Sequence, residues 1–183
     1  MKKYGSILQA LLPTIIGAFM LLLYMNLLGA SGSTLALGII GVIVAAYYLV
    51  SGIVGSLISE NKGSIGGLLK KLNVVIFPTF MFVNFLITII AAANGLGPTG
   101  WVISIFALVT AIGFALFAIF NWAAKSSALT KITTLFGVLF ILSLALTVFF
   151  DVSGAPNDLG DISLVSTVIY VLYTIMAVSV LSE

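Results

Sequence analysis

The stretch "LNVVIFPTFMFVNFLITIIAAANGLGPTGWVISIFALVTAIGFALFAIFNWAA", residues 72–124, runs from Lys71 to Lys125 without one side chain that is ionised at neutral pH. A helix that crosses a bilayer needs about 20 apolar residues to cover about 30 Å of hydrocarbon at 1.5 Å per residue. The stretch therefore holds two crossings and the turn between them. Working outward, the interval from Lys3 to Glu60 is equally free of charge and again holds two crossings. The intervals from Lys131 to Asp151 and from Asp161 to Glu183 hold one each. This predicts six spans, near residues 5–28, 35–58, 72–93, 101–122, 132–150 and 162–181. The runs are unbroken in their apolar character, whereas a barrel strand alternates over about 10 residues, so the spans are helices.

Composition leads to the same class. Of 183 residues 62% are hydrophobic and 7% charged, where a soluble domain carries about 25% charged residues. The expected fold is all-α: a polytopic integral membrane protein, a bundle of six transmembrane helices with short loops, forming a single transmembrane domain over residues 1–183. No connection is long enough to fold by itself.

Orientation follows from the basic residues. All seven are lysines, Lys2, Lys3, Lys62, Lys70, Lys71, Lys125 and Lys131. They fall at the N-terminus and in the second and fourth connections, which share one side of a six-span chain. Short lysine-bearing loops stay cytoplasmic, so both termini are expected inside and the protein in the cell membrane. The other connections, 29–34, 94–100 and 151–161, carry no basic residue. Lys2 and Lys3 could also open a signal peptide, but the apolar run after them reaches Leu28, beyond the roughly 7–15 residues of a signal h-region, and no clear cleavage site follows. The first helix is read as retained.

Three of the five acidic residues, Asp151, Asp158 and Asp161, crowd the fifth connection. Their spacing is not that of a calcium loop. With Pro156, Asn157 and Gly160 they read as a solvated outer turn, with Asp161 placed to cap the sixth helix; weak divalent-ion binding or contact with an outer partner is the alternative. Lys70 and Lys71 end a loop whose Ile65, Leu68 and Leu69 are expected at the interface, with the ammonium groups toward anionic headgroups.

Residue inventory excludes most chemistry. The chain has no cysteine and no histidine, which removes disulfides, thiolate nucleophiles and the commonest zinc and haem ligand. "GASGS" at 29–33 offers a serine without its usual base. "NKGSIGGLLKK" at 61–71 has the glycines of a phosphate loop but neither its spacing nor a preceding strand. No carboxylate or histidine lies within a span to relay protons, and no arginine exists to sense voltage. No catalytic, cofactor-binding or metal-binding residue is expected, and the net charge of +2 reports orientation, not nucleic acid.

What remains are two patterns. The second helix has a seam of small residues, Gly38, Gly41, Ala45, Gly52 and Gly55, and the fourth a stripe, Ser104, Ala107, Ala111, Ala115 and Ala118. Such spacings let helix backbones approach closely in lipid, either inside this chain or against a partner. Near the midplane lie Asn84, Tyr47, Tyr48, Thr110, Tyr170 and Tyr173, at depths set by the belt residues Trp101 and Trp122, about 32 Å of helix apart. Polar groups at that depth need hydrogen-bond partners, as interhelical ties or as the lining of a small cavity. "LLPTII" from Leu11 and "IFPTFM" from Ile76 hint at a two-helix repeat. The expected function is a non-enzymatic membrane subunit of a larger transport or envelope assembly, docking through small-residue helix faces. The alternative is a self-contained oligomeric channel or transporter for a small neutral or aromatic solute. The expected partners are the lipid bilayer and other membrane subunits or further copies of the chain.

Overall fold

The computed structural model describes residues 2–58, 64–92, 95–150 and 162–181. It is all-helical there, with α1 Lys2–Met25, a 3-10 turn Asn26–Gly29, α2 Gly32–Ile58, α3 Ser64–Ala92, α4 Pro98–Ala124, α5 Ser127–Phe149 and α6 Ile162–Leu181. All six helices are long and apolar enough to cross a membrane. The acids Asp151, Asp158 and Asp161, and with them the cap expected on α6, lie outside the described residues.

Local chemistry explains the helix ends. Pro98 occupies the first turn of α4, where its missing N–H costs nothing and its fixed φ suits the helix. Lys125 ends α4 in the left-handed region at φ 42°, its N–H donating to the Asn121 carbonyl at 2.8 Å. Ser126 then starts α5 at once, its Oγ accepting from the Leu129 N–H at 3.1 Å, a side-chain cap for an otherwise free amide. The fourth connection is thus only Lys125 and Ser126, and α5 begins five residues before the expected boundary. The largest correction is at α3, which starts at Ser64 and carries Ile65, Leu68, Lys70 and Lys71 in helix rather than loop. Lysine and leucine are good helix formers, and a lysine near the end of a span can lie along the helix with its ammonium group in the headgroup region, so charge alone did not mark where the helix began.

The helices gather into two compact units, Met1–Phe77 with Val171–Glu183, and Pro78–Tyr170. The division runs through the middle of α3 and of α6, so no loop marks it. In the first unit α1 and α2 form a close antiparallel pair. A Cβ built on Gly17 would stand 2.7 Å from the Ala45 carbonyl oxygen and 2.7 Å from the Leu49 amide nitrogen. One on Gly52 would meet the Thr14 side chain and stand 2.9 Å from the Ala10 carbonyl oxygen, and one on Gly41 would enter the Tyr24 ring. Ile16, Met20 and Ala45 are buried along this pair.

In the second unit α4 and α5 pair through larger side chains. Phe114 and Phe140 stack with centroids 6.1 Å apart, and Phe117 packs on Phe136 at 4.9 Å. The Thr133 hydroxyl reaches the Phe117 carbonyl of α4 at 2.9 Å and the Leu129 carbonyl of its own helix at 2.8 Å, and the Thr130 hydroxyl reaches Asn121 Oδ1 at 3.0 Å and the Ser126 carbonyl at 3.1 Å. Large apolar side chains such as Leu57, Ile90 and Phe149 point out of the helices, the arrangement expected where lipid is the solvent.

Candidate functional site: tyrosines beside Pro78

The polar centre of the first unit lies on its part of α3, which ends at Phe77, next to a proline. Pro78 sits inside α3 and has no N–H to give to the carbonyl four residues earlier, that of Val74. In hydrocarbon an unpaired carbonyl is costly and must find another donor. Tyr173 of α6 supplies it, donating its hydroxyl to the Val74 carbonyl at 2.7 Å. Its ring stacks on Phe77, centroids 4.3 Å apart at 29°. Tyr48 of α2 donates to the neighbouring Asn73 carbonyl at 2.5 Å. Both tyrosines are completely buried. Two tyrosines from two helices therefore hold two consecutive carbonyls of a third, one of them the carbonyl that Pro78 leaves without its helical donor.

Two buried polar side-chain atoms among the described residues of this unit lack a partner. The Tyr47 hydroxyl and Asn73 Oδ1 are buried with no hydrogen bond, although native proteins satisfy the large majority of such groups. The two residues are joined through Tyr48, whose hydroxyl rests on the Asn73 backbone and whose ring meets Tyr47 edge-on at 5.4 Å and 78°.

Of the six midplane residues singled out in the sequence, the structure thus brings together Tyr47, Tyr48 and Tyr173. Thr110 is spent on its own helix, donating to the Phe106 and Ala107 carbonyls at 2.8 and 3.2 Å. Asn84 Oδ1 takes the Thr88 hydroxyl at 3.5 Å, again within one helix, and Tyr170 lies half-buried on α6. These three belong to the second unit. Asn73, Val74, Phe77 and Pro78 were not selected from the sequence. The signal for Val74 was there, since a mid-span proline frees the carbonyl four residues before it. Nothing in the sequence said which hydroxyl would take it.

The small-residue patterns also have definite places. Gly41, Ala45 and Gly52 of α2 face α1, and Gly38 faces Leu27 of the 3-10 turn that follows α1, while a Cβ on Gly55 would meet open space. On α4, Ser104, Ala107, Ala111, Ala115 and Ala118 are all buried, the Ser104 hydroxyl without a partner. Among the described residues no three histidine, cysteine, aspartate or glutamate side chains come together to hold a metal ion.

No protein-family model, curated protein or solved structure matches the chain.

Proposed function

We propose that the chain is a non-enzymatic integral subunit of a larger transport assembly in the cell membrane, with both termini in the cytoplasm. The observation that carries this reading is the lack of side chains ionised at neutral pH across the apolar middle of the described spans. The only buried polar groups there are hydroxyls and amides. Proton relays and voltage sensors need titratable or charged groups within the membrane, so a partner would supply the energy. The segregation of all seven lysines supports the orientation. Because α1 already covers most of the α2 seam, docking to a partner uses other faces, with the open helix surface around Gly55 available for close approach.

The test is purification of the intact complex in a mild detergent, with subunit stoichiometry measured by native mass spectrometry. A second subunit present at a fixed ratio supports the reading; a species made only of this chain overturns it. For orientation, single cysteines placed in the 151–161 and 59–63 connections of this cysteine-free chain are treated with an impermeant thiol reagent in intact cells. Labelling is expected at the first position and not the second.

A second reading, a self-contained oligomeric channel or transporter for a small neutral or aromatic solute, is favoured by one observation. Tyr47 and Asn73 keep unpaired hydrogen-bonding atoms in an otherwise satisfied aromatic centre. In that case uptake by the chain alone in proteoliposomes is lost in Asn73→Ala while Asn84→Leu retains it.

A further inference from the structure

The α4–α5 connection of the second unit displays positive charge with nothing opposite it. Lys125 and Lys131 are exposed, and among the described residues neither ammonium group has a hydrogen bond or an ion pair. The chain itself keeps them close together. Lys125 stands two residues before Ser127, the first residue of α5, and Lys131 lies about one helical turn, or about 6 Å, beyond Ser127. Their base is fixed at both ends. The connection is only Lys125 and Ser126, the Ser126 Oγ accepts from the Leu129 N–H at 3.1 Å, and the Thr130 hydroxyl reaches Asn121 Oδ1 on α4 at 3.0 Å. A partner thus meets two lysines on a backbone that needs no ordering, which removes part of the entropic cost of binding.

From Lys131 toward the middle of the span, the same face of α5 is apolar. Leu135, Val138 and Leu142 follow at steps of four, three and four residues, the spacing of one helix face, and all three are exposed. The row from Lys131 to Leu142 covers about 16 Å, close to the depth of one leaflet, half of a hydrocarbon core about 30 Å thick. A cationic end above an apolar row of that depth complements a phospholipid of net negative charge. An acidic protein segment would match the lysines and leave the row uncovered. We propose that the α4–α5 end holds an anionic phospholipid, with its phosphate between Lys125 and Lys131 and an acyl chain along Leu135, Val138 and Leu142. Each lysine near an anionic headgroup favours binding roughly fivefold. A zwitterionic lipid gains far less, because its own cation offsets the phosphate. The site lies within one unit and stands whether the chain works alone or within an assembly.

Trp122 is a built-in reporter, three residues before Lys125 and so about 4.5 Å from it along the helix. Trp101→Phe makes it the sole tryptophan. The full-length chain with this change is reconstituted in mixed vesicles of phosphatidylglycerol and phosphatidylcholine, one of which carries brominated acyl chains, and quenching of Trp122 gives the relative affinity of the two lipids. Phosphatidylglycerol is expected to be favoured about 25-fold at low salt, the product of two lysines. Lys125→Asn and Lys131→Gln each lower the ratio about fivefold, and the double variant brings it near one. Both replacements suit their backbone: asparagine tolerates the left-handed conformation of Lys125 at φ 42°, and glutamine is a good helix former. Quenching by brominated phosphatidylcholine alone, unchanged in the variants, shows that the helices still insert. Equal affinity for the two lipids in the chain that keeps both lysines would overturn the proposal, as would a preference that survives the double variant. Equal affinity together with lysine-dependent binding of polyglutamate to the protein in phosphatidylcholine vesicles would assign the lysines to an acidic protein partner instead.

Discussion

The α1–α2 and α4–α5 hairpins have the same topology and are held together in different ways. In the first, backbone meets backbone: at Gly17 the nearest atoms to a built Cβ are the carbonyl oxygen of Ala45 and the amide nitrogen of Leu49. In the second, side chains keep the helices apart, and the atoms nearest Gly113 belong to the Phe136 ring. Phe114–Phe140 and Phe117–Phe136 contacts fill the space, and Thr133 ties one helix to the other's backbone. A ring can swing to admit a methyl group, but a facing helix backbone cannot. Lipid supplies no hydrophobic drive between helices, so one hairpin depends on close approach and the other on interlocking rings and a hydroxyl.

The difference can be broken most severely at Gly17 and Gly52. Alanine at either position forces α1 and α2 apart, with an expected cost of about 3 kcal/mol or more, at the top of the range for overpacking. Thermal unfolding of the purified chain in one detergent reads it as a large loss of Tm. Gly113→Ala is expected to cost about 1 kcal/mol in the same assay, because only Phe136 must move; a loss as large as that at Gly17 would show the second hairpin to be just as rigid. Thr133→Val removes the tie to the Phe117 carbonyl and is expected to cost about 0.6 kcal/mol, the average for an interhelical hydrogen bond in a membrane. Gly55→Ala sharpens the comparison from below. With open space at its Cβ position it should leave Tm unchanged or raise it slightly through better helix propensity. Destabilisation there would mean that glycine matters to α2 for a reason other than its contact with α1.

The sites themselves were unevenly legible. That Gly38, Gly41, Ala45 and Gly52 mark a packing face was readable from their spacing; that α1 covers it was not, because small residues announce close approach without naming the partner. Tyr48 and Tyr173 could be selected as deep polar residues needing acceptors. Their acceptors are backbone carbonyls, and every residue has one, so side-chain chemistry could not single out Asn73 and Val74. Asn84 drew attention as the most polar side chain at midplane depth, yet the hydrogen bond it accepts from Thr88 stays on its own helix. Asn73, which carries the open acceptor, lies two residues from Lys71 at the start of the expected span and so away from the midplane residues singled out.

Sequence alone determined the helical class of this protein and the number of its candidate spans, because uncharged runs of this length that lack a barrel strand's alternation can close their backbone bonds in lipid only as helices. It also determined that Val74 would need an outside donor, since Pro78 cannot supply one. Tertiary structure decided which helix fills which seam, where α3 begins, and which hydroxyls reach the Asn73 and Val74 carbonyls. Those outcomes depend on the register and rotation of one helix against another, which are set by many small packing contacts of similar energy that no single residue type reveals.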